Sequence, residues 1–238
     1  MAILFMLELE SVNTWYSKAH ILNDLSFTLG EGEVVSLLGR NGAGKTTTVK
    51  SIMQLVKPGS GSIVFEGKSL NRLAPHQVAR LGLGYVPEER RIFTDLTILE
   101  NLEVGKQPAR DGRDPWTPER LFEIFPNLFE RRNNRGKALS GGEQQMLTIA
   151  RTLMGNPRLL LLDEPSEGIA PVIVEQMATT IHRLKAEGLA VLLSEQNLHF
   201  AKLVSDRAII IESGEKKYDG TFTELDANPE IRDAYLSV

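Results

Sequence analysis

The sequence predicts an α/β fold: a mostly parallel sheet, antiparallel strands near the N-terminus, and a helical insertion. Three observations predict it. Two short apolar runs, residues 33–38 and 159–162, are bounded by glycines or acids, as buried parallel strands are. A glycine-rich segment follows the first run and leads into a helical stretch. Between residues 88 and 158 the strand–helix alternation gives way to helices and loops.

The elements follow in order. Leu7, Leu9 and Val12 are interrupted by Glu8, Glu10 and Ser11, which reads as a strand. A second strand covers residues 21–29 and ends at Gly30-Glu31-Gly32, and a third covers 33–38. A helix is expected over 45–56, then a turn at Pro58-Gly59-Ser60-Gly61. A strand at 63–65, a helix near 75–81 and a strand at 84–86 come next. Within the insertion, Thr117-Pro118 reads as an N-cap followed by proline at the first helical position. Leu121, Phe122, Ile124 and Phe125 make an apolar helical face, and a further helix spans 144–154. Strands at 159–162, 189–193 and 208–211 then alternate with helices at 172–185 and 197–204. Two short helices, from Phe222 and from Pro229, close the chain.

At 238 residues, one domain with a large insertion fits better than two separate domains. Hydrophobic residues are 42% and charged residues 24%, which excludes wholesale disorder. The net charge of −4 argues against a dedicated nucleic-acid binder. Cysteine is absent, so a disulfide scaffold, an iron–sulfur site and a thiol nucleophile are excluded. No stretch free of Asp, Glu, Lys and Arg reaches ten residues, so no membrane-spanning helix is expected. The apolar start, residues 1–6, is too short for a secretory signal and lacks a basic flank. A soluble, cytoplasmic chain is the expectation.

Two motifs carry chemistry. Gly39-Arg40-Asn41-Gly42-Ala43-Gly44-Lys45-Thr46 fits G-x-x-x-x-G-K-[ST] between an expected strand and helix, the context of a phosphate-binding P-loop. Glycines let the backbone aim successive N–H groups at phosphate oxygens, and the helix N-terminus adds positive potential. Lys45 suits the β and γ oxygens, Thr46 suits Mg²⁺, and Thr47 suits a further phosphate oxygen. The second motif ends the run at 159–162 with Asp163 and Glu164. A parallel strand presents such acids at its C-terminal edge, where α/β sheets bind ligands. Asp163 is the candidate Mg²⁺ carboxylate and Glu164 the candidate general base for an attacking water.

A third segment, Leu139-Ser140-Gly141-Gly142-Glu143-Gln144-Gln145, lies about twenty residues before Asp163. Ser140-x-x-Glu143 is a capping box, and the whole resembles the signature of ATP-binding cassette (ABC) ATPases. The resemblance covers essentially the whole chain as one cassette, 1–238, with the helical subdomain at about 88–158. It implies a P-loop NTPase fold, ATP and Mg²⁺ as ligands, and hydrolysis to ADP and phosphate coupled to transport. It implies that two cassettes meet head to tail, so that Ser140, Gly141, Gly142 and Glu143 of one act on ATP held by the other's Lys45. The family's adenine-stacking aromatic corresponds best to Tyr16, with Trp15 as competitor.

Three positions depart from the general family pattern. Glu88 stands where glutamine is usual, Ala170 where an acid is usual, and Gln196 where a switch histidine is usual. This set resembles the ATP-binding subunits of branched-chain amino-acid importers. An ionised Glu88 accepts but cannot donate a hydrogen bond, so its contact with phosphate is expected through the metal. Gln196 can donate to the γ-phosphate but carries no charge, which leaves acid–base chemistry on Glu164. His199 is expected to point elsewhere.

The resemblance further implies separate membrane-spanning permease subunits, a homodimer or a heterodimer with a second ABC ATPase, and an indirect link to a solute-binding protein. The expected location is the cytoplasmic face of the inner membrane, as a peripheral subunit. Permeases are expected to dock near residues 90–102, with Ile92, Phe93, Leu96 and Leu99 as apolar candidates. For Leu99 and Leu102, packing within the insertion is the favoured role. Arg131, Arg132, Arg135 and Lys137 read as a solvated basic surface, because no aromatics interleave them. The competing functions are an ATPase for urea or short amides, an exporter of lipid-linked material, a non-transport ABC protein and a low-turnover regulator.

Overall fold

The computed structural model describes residues 5–110 and 112–236. Residues 1–4 of the apolar start discussed above lie outside the described residues. β1 (Leu7–Tyr16) and β2 (Ala19–Leu29) form a hairpin that closes with Tyr16 opposite Ala19. With β4 (Ser60–Phe65) and β5 (Lys68–Ser69) they make an antiparallel sheet in the order β2-β1-β4-β5.

The main sheet contains β3 (Val34–Leu38), β6 (Leu83–Val86), β7 (Leu159–Asp163), β8 (Ala190–Glu195), β9 (Arg207–Glu212) and β10 (Glu215–Thr221). Its order is β10-β9-β3-β8-β7-β6. The pairings are parallel except β10 with β9. The four leucines of β7 show why its sequence is apolar without interruption. Leu160 and Leu162 enter one core, against the helical insertion, and Leu159 and Leu161 enter the other, against the antiparallel sheet. A strand buried on both faces has no solvent side to encode.

α1 (Lys45–Ile52) follows β3, α2 (Pro75–Leu81) precedes β6, and α7 (Pro171–Ala186) and α8 (Leu198–Val204) flank β8. Between β6 and β7 lie α3 (Ile98–Gly105), α4 (Pro118–Ile124), α5 (Pro126–Glu130) and α6 (Gly141–Leu153). α9 (Phe222–Asp226) and α10 (Pro229–Tyr235) come last.

Some boundaries differ from expectation. α1 ends four residues early, because the chain turns at Gln54 (φ 57°) and the Lys50 carbonyl takes the N–H groups of Leu55 and Val56. β4 begins inside the expected 58–61 turn. β10 was not expected as a strand: Glu215, Lys216 and Lys217 blur its alternation, as charged residues do on a protected sheet edge. Leu99 was expected to pack, but it is exposed. Ile98, Asn101 and Leu102 form the inward stripe of α3, and Leu99 sits a further 100° or so around the helix.

Candidate nucleotide site

The site lies at the C-terminal edge of the parallel strands, where β3, β7 and β8 end side by side. Leu38 pairs with Glu195 and Asp163 with Ser194, so the register of the sheet brings the glycine loop, the two acids and Gln196 to one rim. A cavity of about 350 Å³ opens there, lined by Asn41, Gly42, Gly44, Lys45, Thr46 and Thr47 together with Ile21, Glu88, Glu164 and Glu167.

The loop 39–44 requires its glycines. A Cβ on Gly39 would lie 2.4 Å from the Ile211 carbonyl oxygen, and Gly44 has φ 111° with Leu22 against it. Gly44 is also the N-cap of α1, whose first turn carries no acidic side chain. That helix end therefore keeps its positive potential for an anion.

Lys45 is 3% exposed and uses all three of its donors within the chain. Its Nζ donates to the carbonyls of Gly39 (2.8 Å) and Arg40 (3.2 Å) and lies 3.1 Å from Glu164 Oε1. Glu164 adopts the left-handed region (φ 45°), unusual for a residue with a Cβ and worth about 1–3 kcal/mol of local strain. Its N–H is held by the Ser194 carbonyl at 2.9 Å. Burial pushes the Glu164 carboxyl up, but the Gln196 hydrogen bond and the Lys45 charge outweigh it and hold the group below the usual carboxylate range.

Gln196 bridges two parts of the site. Its Nε2 donates to Glu164 Oε2 at 2.6 Å and to Asn41 Oδ1 at 2.7 Å. Both partners are oxygens, which fixes the amide nitrogen toward them. His199 is exposed on α8 and does not line the cavity.

Asp163 is buried beneath the loop. Its Oδ1 accepts the Thr46 hydroxyl at 2.9 Å and its Oδ2 the Tyr85 hydroxyl at 3.3 Å. Burial raises the Asp163 carboxyl, opposed by these bonds and one from Ser194. Burial and the adjacent Asp163 charge push the Tyr85 phenol well above its ordinary value. One hydroxyl and one carboxylate fit Mg²⁺, which takes few protein oxygens and keeps water and phosphate as its other ligands. Among the described residues no cluster of three or more His, Asp or Glu offers a complete metal cage.

Tyr16 is the freer of the two aromatic candidates. Trp15 stacks on His20 with centroids 4.1 Å apart and borders Gly59, whereas Tyr16 is 45% exposed at the hairpin tip. Ala170 is the N-cap of α7 and offers no side-chain cap, where an acid would.

The segment 139–145 opens α6 within the insertion. Ser140 and Glu143 form the expected capping box, with the Glu143 carboxylate accepting both the N–H and the hydroxyl of Ser140 at 2.8 Å. Neither lines the cavity of its own chain. Three of the four basic residues before this segment have partners at the surface: Arg131 with Glu143, Lys137 with Asp95, and Arg132 over Phe129.

Besides Tyr85 at Asp163, three contributors were not anticipated from sequence. Glu167 lines the cavity, and a hydrogen bond with the Glu164 carboxyl raises its affinity for a proton. Its position three residues after Glu164 was the available signal. Arg90 (φ 47°) donates to the Glu167 carbonyl at 2.7 Å and lies against Gly141, where a Cβ would meet its Nη1 at 2.4 Å. Glu195 is buried behind the rim, in a run that otherwise reads only as strand.

Residues 22–167, which hold both phosphate-site motifs and the capping-box segment, match the sequence profile of the ABC transporter family. The chain belongs to the ABC transporter family. It is an ABC ATPase, and its activity is ATP hydrolysis coupled to transport. It is 42% identical over 231 residues to the high-affinity branched-chain amino acid transport ATP-binding protein BraG of Pseudomonas aeruginosa, covering 97% of this chain and 99% of that protein. It is 36% identical to the lipopolysaccharide export system ATP-binding protein LptB of Haemophilus influenzae, covering 97% of each. Among solved structures it resembles a dimeric bacterial ABC transporter cassette, with TM-score 0.78 and 26% identity over 91% of this chain and 98% of that one. Among the described residues no helix is long and apolar enough to cross a membrane.

Proposed function

We propose that this ABC ATPase energises import of branched-chain amino acids, as a peripheral subunit on the cytoplasmic face of the membrane. The observation that carries the reading is the 42% identity to BraG over nearly the full length of both chains. Glu88, Ala170 and Gln196, the three departures from the general pattern, support the same subgroup.

In this reading 1–238 is one cassette with a helical insertion near 88–158. Tyr16 stacks on adenine, and Gly39, Asn41, Gly42, Ala43, Gly44, Lys45, Thr46 and Thr47 cradle the phosphates. Thr46 and Asp163, with Glu88 from the cavity lining, would hold Mg²⁺. Bound there, the ion would supply positive charge to the β and γ oxygens. Lys45 exchanges Glu164 for the γ-phosphate, and this frees the Glu164 carboxylate to take a proton from the attacking water. Gln196 holds that carboxylate in line and ties it to Asn41 on the phosphate loop. Ser140, Gly141, Gly142 and Glu143 reach the γ-phosphate of a second cassette, so turnover needs a dimer, homomeric or with a different ABC ATPase.

Permease subunits dock beside the Glu88 loop. A groove of about 550 Å³ runs there between the sheet edge and the insertion, with Phe93, Tyr85, Val104 and Arg151 among its lining. Phe93 is exposed beneath the Arg151 guanidinium, whereas Ile92 packs toward the core of the insertion. A solute-binding protein acts on the permeases rather than on this chain.

The likeness to LptB supports a second reading, energising export of a lipid-linked glycan. A tagged pull-down from detergent-solubilised membranes separates the two. Two different multi-span proteins and a second ATPase are expected, followed by ATP-dependent uptake of labelled leucine. Lipid-export partners with no leucine uptake overturn the import reading and leave the ATPase in place.

A further inference from the structure

Glu195 ends β8 with its side chain 2% exposed, and it does not line the nucleotide cavity. An ionised carboxylate buried this deeply costs several kcal/mol unless hydrogen bonds replace its water. Burial pushes Glu195 above the usual carboxylate range, and a set of convergent donors opposes that push. Oε1 accepts the Ser166 N–H at 3.0 Å. Oε2 accepts the N–H groups of Gln196 and Asn197, each at 3.1 Å. The Ser166 hydroxyl adds a further bond. A leucine would fill the end of an apolar strand at lower cost, so packing alone does not account for the residue.

The donors come from two loops. Ser166 lies two residues after Glu164, and Gln196 is the residue whose amide holds the Glu164 carboxylate at 2.6 Å. The contacts close a ring: from Glu164 through Pro165 to Ser166, across the Glu195 carboxylate to Gln196, and back to Glu164 through the amide. Both ends of the Gln196–Glu164 contact are thus referred to one buried carboxylate. The backbone at Glu164 is in the left-handed region, so it needs outside restraint to stay there.

We infer that Glu195 is a positioning residue for ATP hydrolysis: its carboxylate straps the loop carrying Glu164 to the turn carrying Gln196, and so fixes where the Glu164 carboxylate points. The inference rests on the reading of Glu164 as the base. Glu195 does not line the nucleotide cavity, so its loss should act on turnover and not on binding.

Glu195→Gln is the direct test, because the amide keeps the shape but turns one acceptor into a donor facing N–H groups. Phosphate release by the full chain should show kcat down by about 10- to 100-fold, the scale of a displaced catalytic group. The KM for ATP should stay within about threefold, since the phosphate loop is untouched. In a Gln196→Ala background the same change should cost less than about threefold, because the strap then has less to position. A role confined to stability would change the melting temperature and leave kcat per folded molecule alone. If Glu195→Gln does not fold, Glu195→Asp is used: it keeps the charge but is one methylene short of spanning both loops, and the same loss in kcat is expected. Unchanged kcat in either folded variant overturns the inference, as does an equal loss in both backgrounds. Glu164→Gln runs alongside. If that variant turns over normally, the reading of Glu164 fails and the strap has no base to position; if it is inactive while Glu195→Gln is normal, only the strap fails.

Discussion

Glu164→Gln separates two things that one side chain does in this structure. As the candidate base it must accept a proton from water, and an amide cannot. As the partner of Lys45, at 3.1 Å with both groups nearly shut from water, it competes with the γ-phosphate for the same ammonium. A hydrogen bond to a charged group is worth about 1.5–3 kcal/mol net. Removing the competitor should therefore tighten ATP by about tenfold or more, at 1.4 kcal/mol per decade. Turnover should fall by about 10²–10⁴-fold, the usual contribution of a general base. The change should cost some stability, since the amide has one oxygen for two donors, Lys45 and Gln196, but the fold should survive because Lys45 keeps the Gly39 and Arg40 carbonyls. Titration with a fluorescent ATP analogue, phosphate release and gel filtration with ATP make the assay, and a stable ATP-bound dimer should accumulate. Normal turnover would remove Glu164 from the role of base. Weaker ATP binding would refute the competition for Lys45.

The neighbouring side chains give three further expectations. Lys45→Ala should weaken ATP binding and also destabilise the free protein by up to about 3–5 kcal/mol, because it strands the buried Glu164 charge; in urea melts, adding Glu164→Gln should recover most of that loss, and strict additivity would contradict it. Gln196→Ala removes a bond that favours the charged Glu164, so its pKa rises and the acid limb of the kcat/KM profile should move to higher pH; an unmoved limb would mean that Gln196 does not tune the base. Thr46→Ala takes away the hydroxyl beside Asp163 and should raise the Mg²⁺ concentration for half-maximal turnover by about tenfold, whereas an unchanged requirement would place the ion elsewhere.

Much of the fold and site was legible because the code there is local. A glycine loop between strand and helix, an apolar strand ending in acids and a Ser-x-x-Glu box each announce themselves within eight residues. Two boxes of the same kind, Thr97-x-x-Glu100 and Thr221-x-x-Glu224, open α3 and α9 and were there to be used. What could not be read depends on register. Asp163 faces Thr46 and Gln196 faces Glu164 because β3, β8 and β7 lie side by side, and no spacing along the chain states that order. Arg90, Glu167 and Glu195 are ordinary surface-type residues in sequence and become part of the site only through that assembly. β10 escaped because edge strands carry charge by design of their position rather than alternation.

The charge of the site supports the proposal that a second cassette completes it. Among the residues lining the cavity, Lys45 is the one cation, against Glu88, Glu164 and Glu167, with Asp163 beneath. The formal sum is +1 − 4 = −3 before any nucleotide enters, or −2 when Glu167 carries the proton of its hydrogen bond to Glu164. A histidine at 196 could have supplied positive charge; the amide of Gln196 supplies only a dipole. The Glu164–Glu167 hydrogen bond already shows the strain, since the exposed Glu167 holds its proton more tightly beside its neighbour. The N-terminus of α1 and a bound Mg²⁺ would offset part of this, and in the proposed dimer a second cassette would add more. In that proposal the N-terminus of α6 would bring such potential, with Arg90 lying against Gly141 beside it. Turnover per chain should therefore rise steeply with protein concentration until dimers saturate, and a rate per chain independent of concentration over the range where gel filtration shows monomers would contradict the argument.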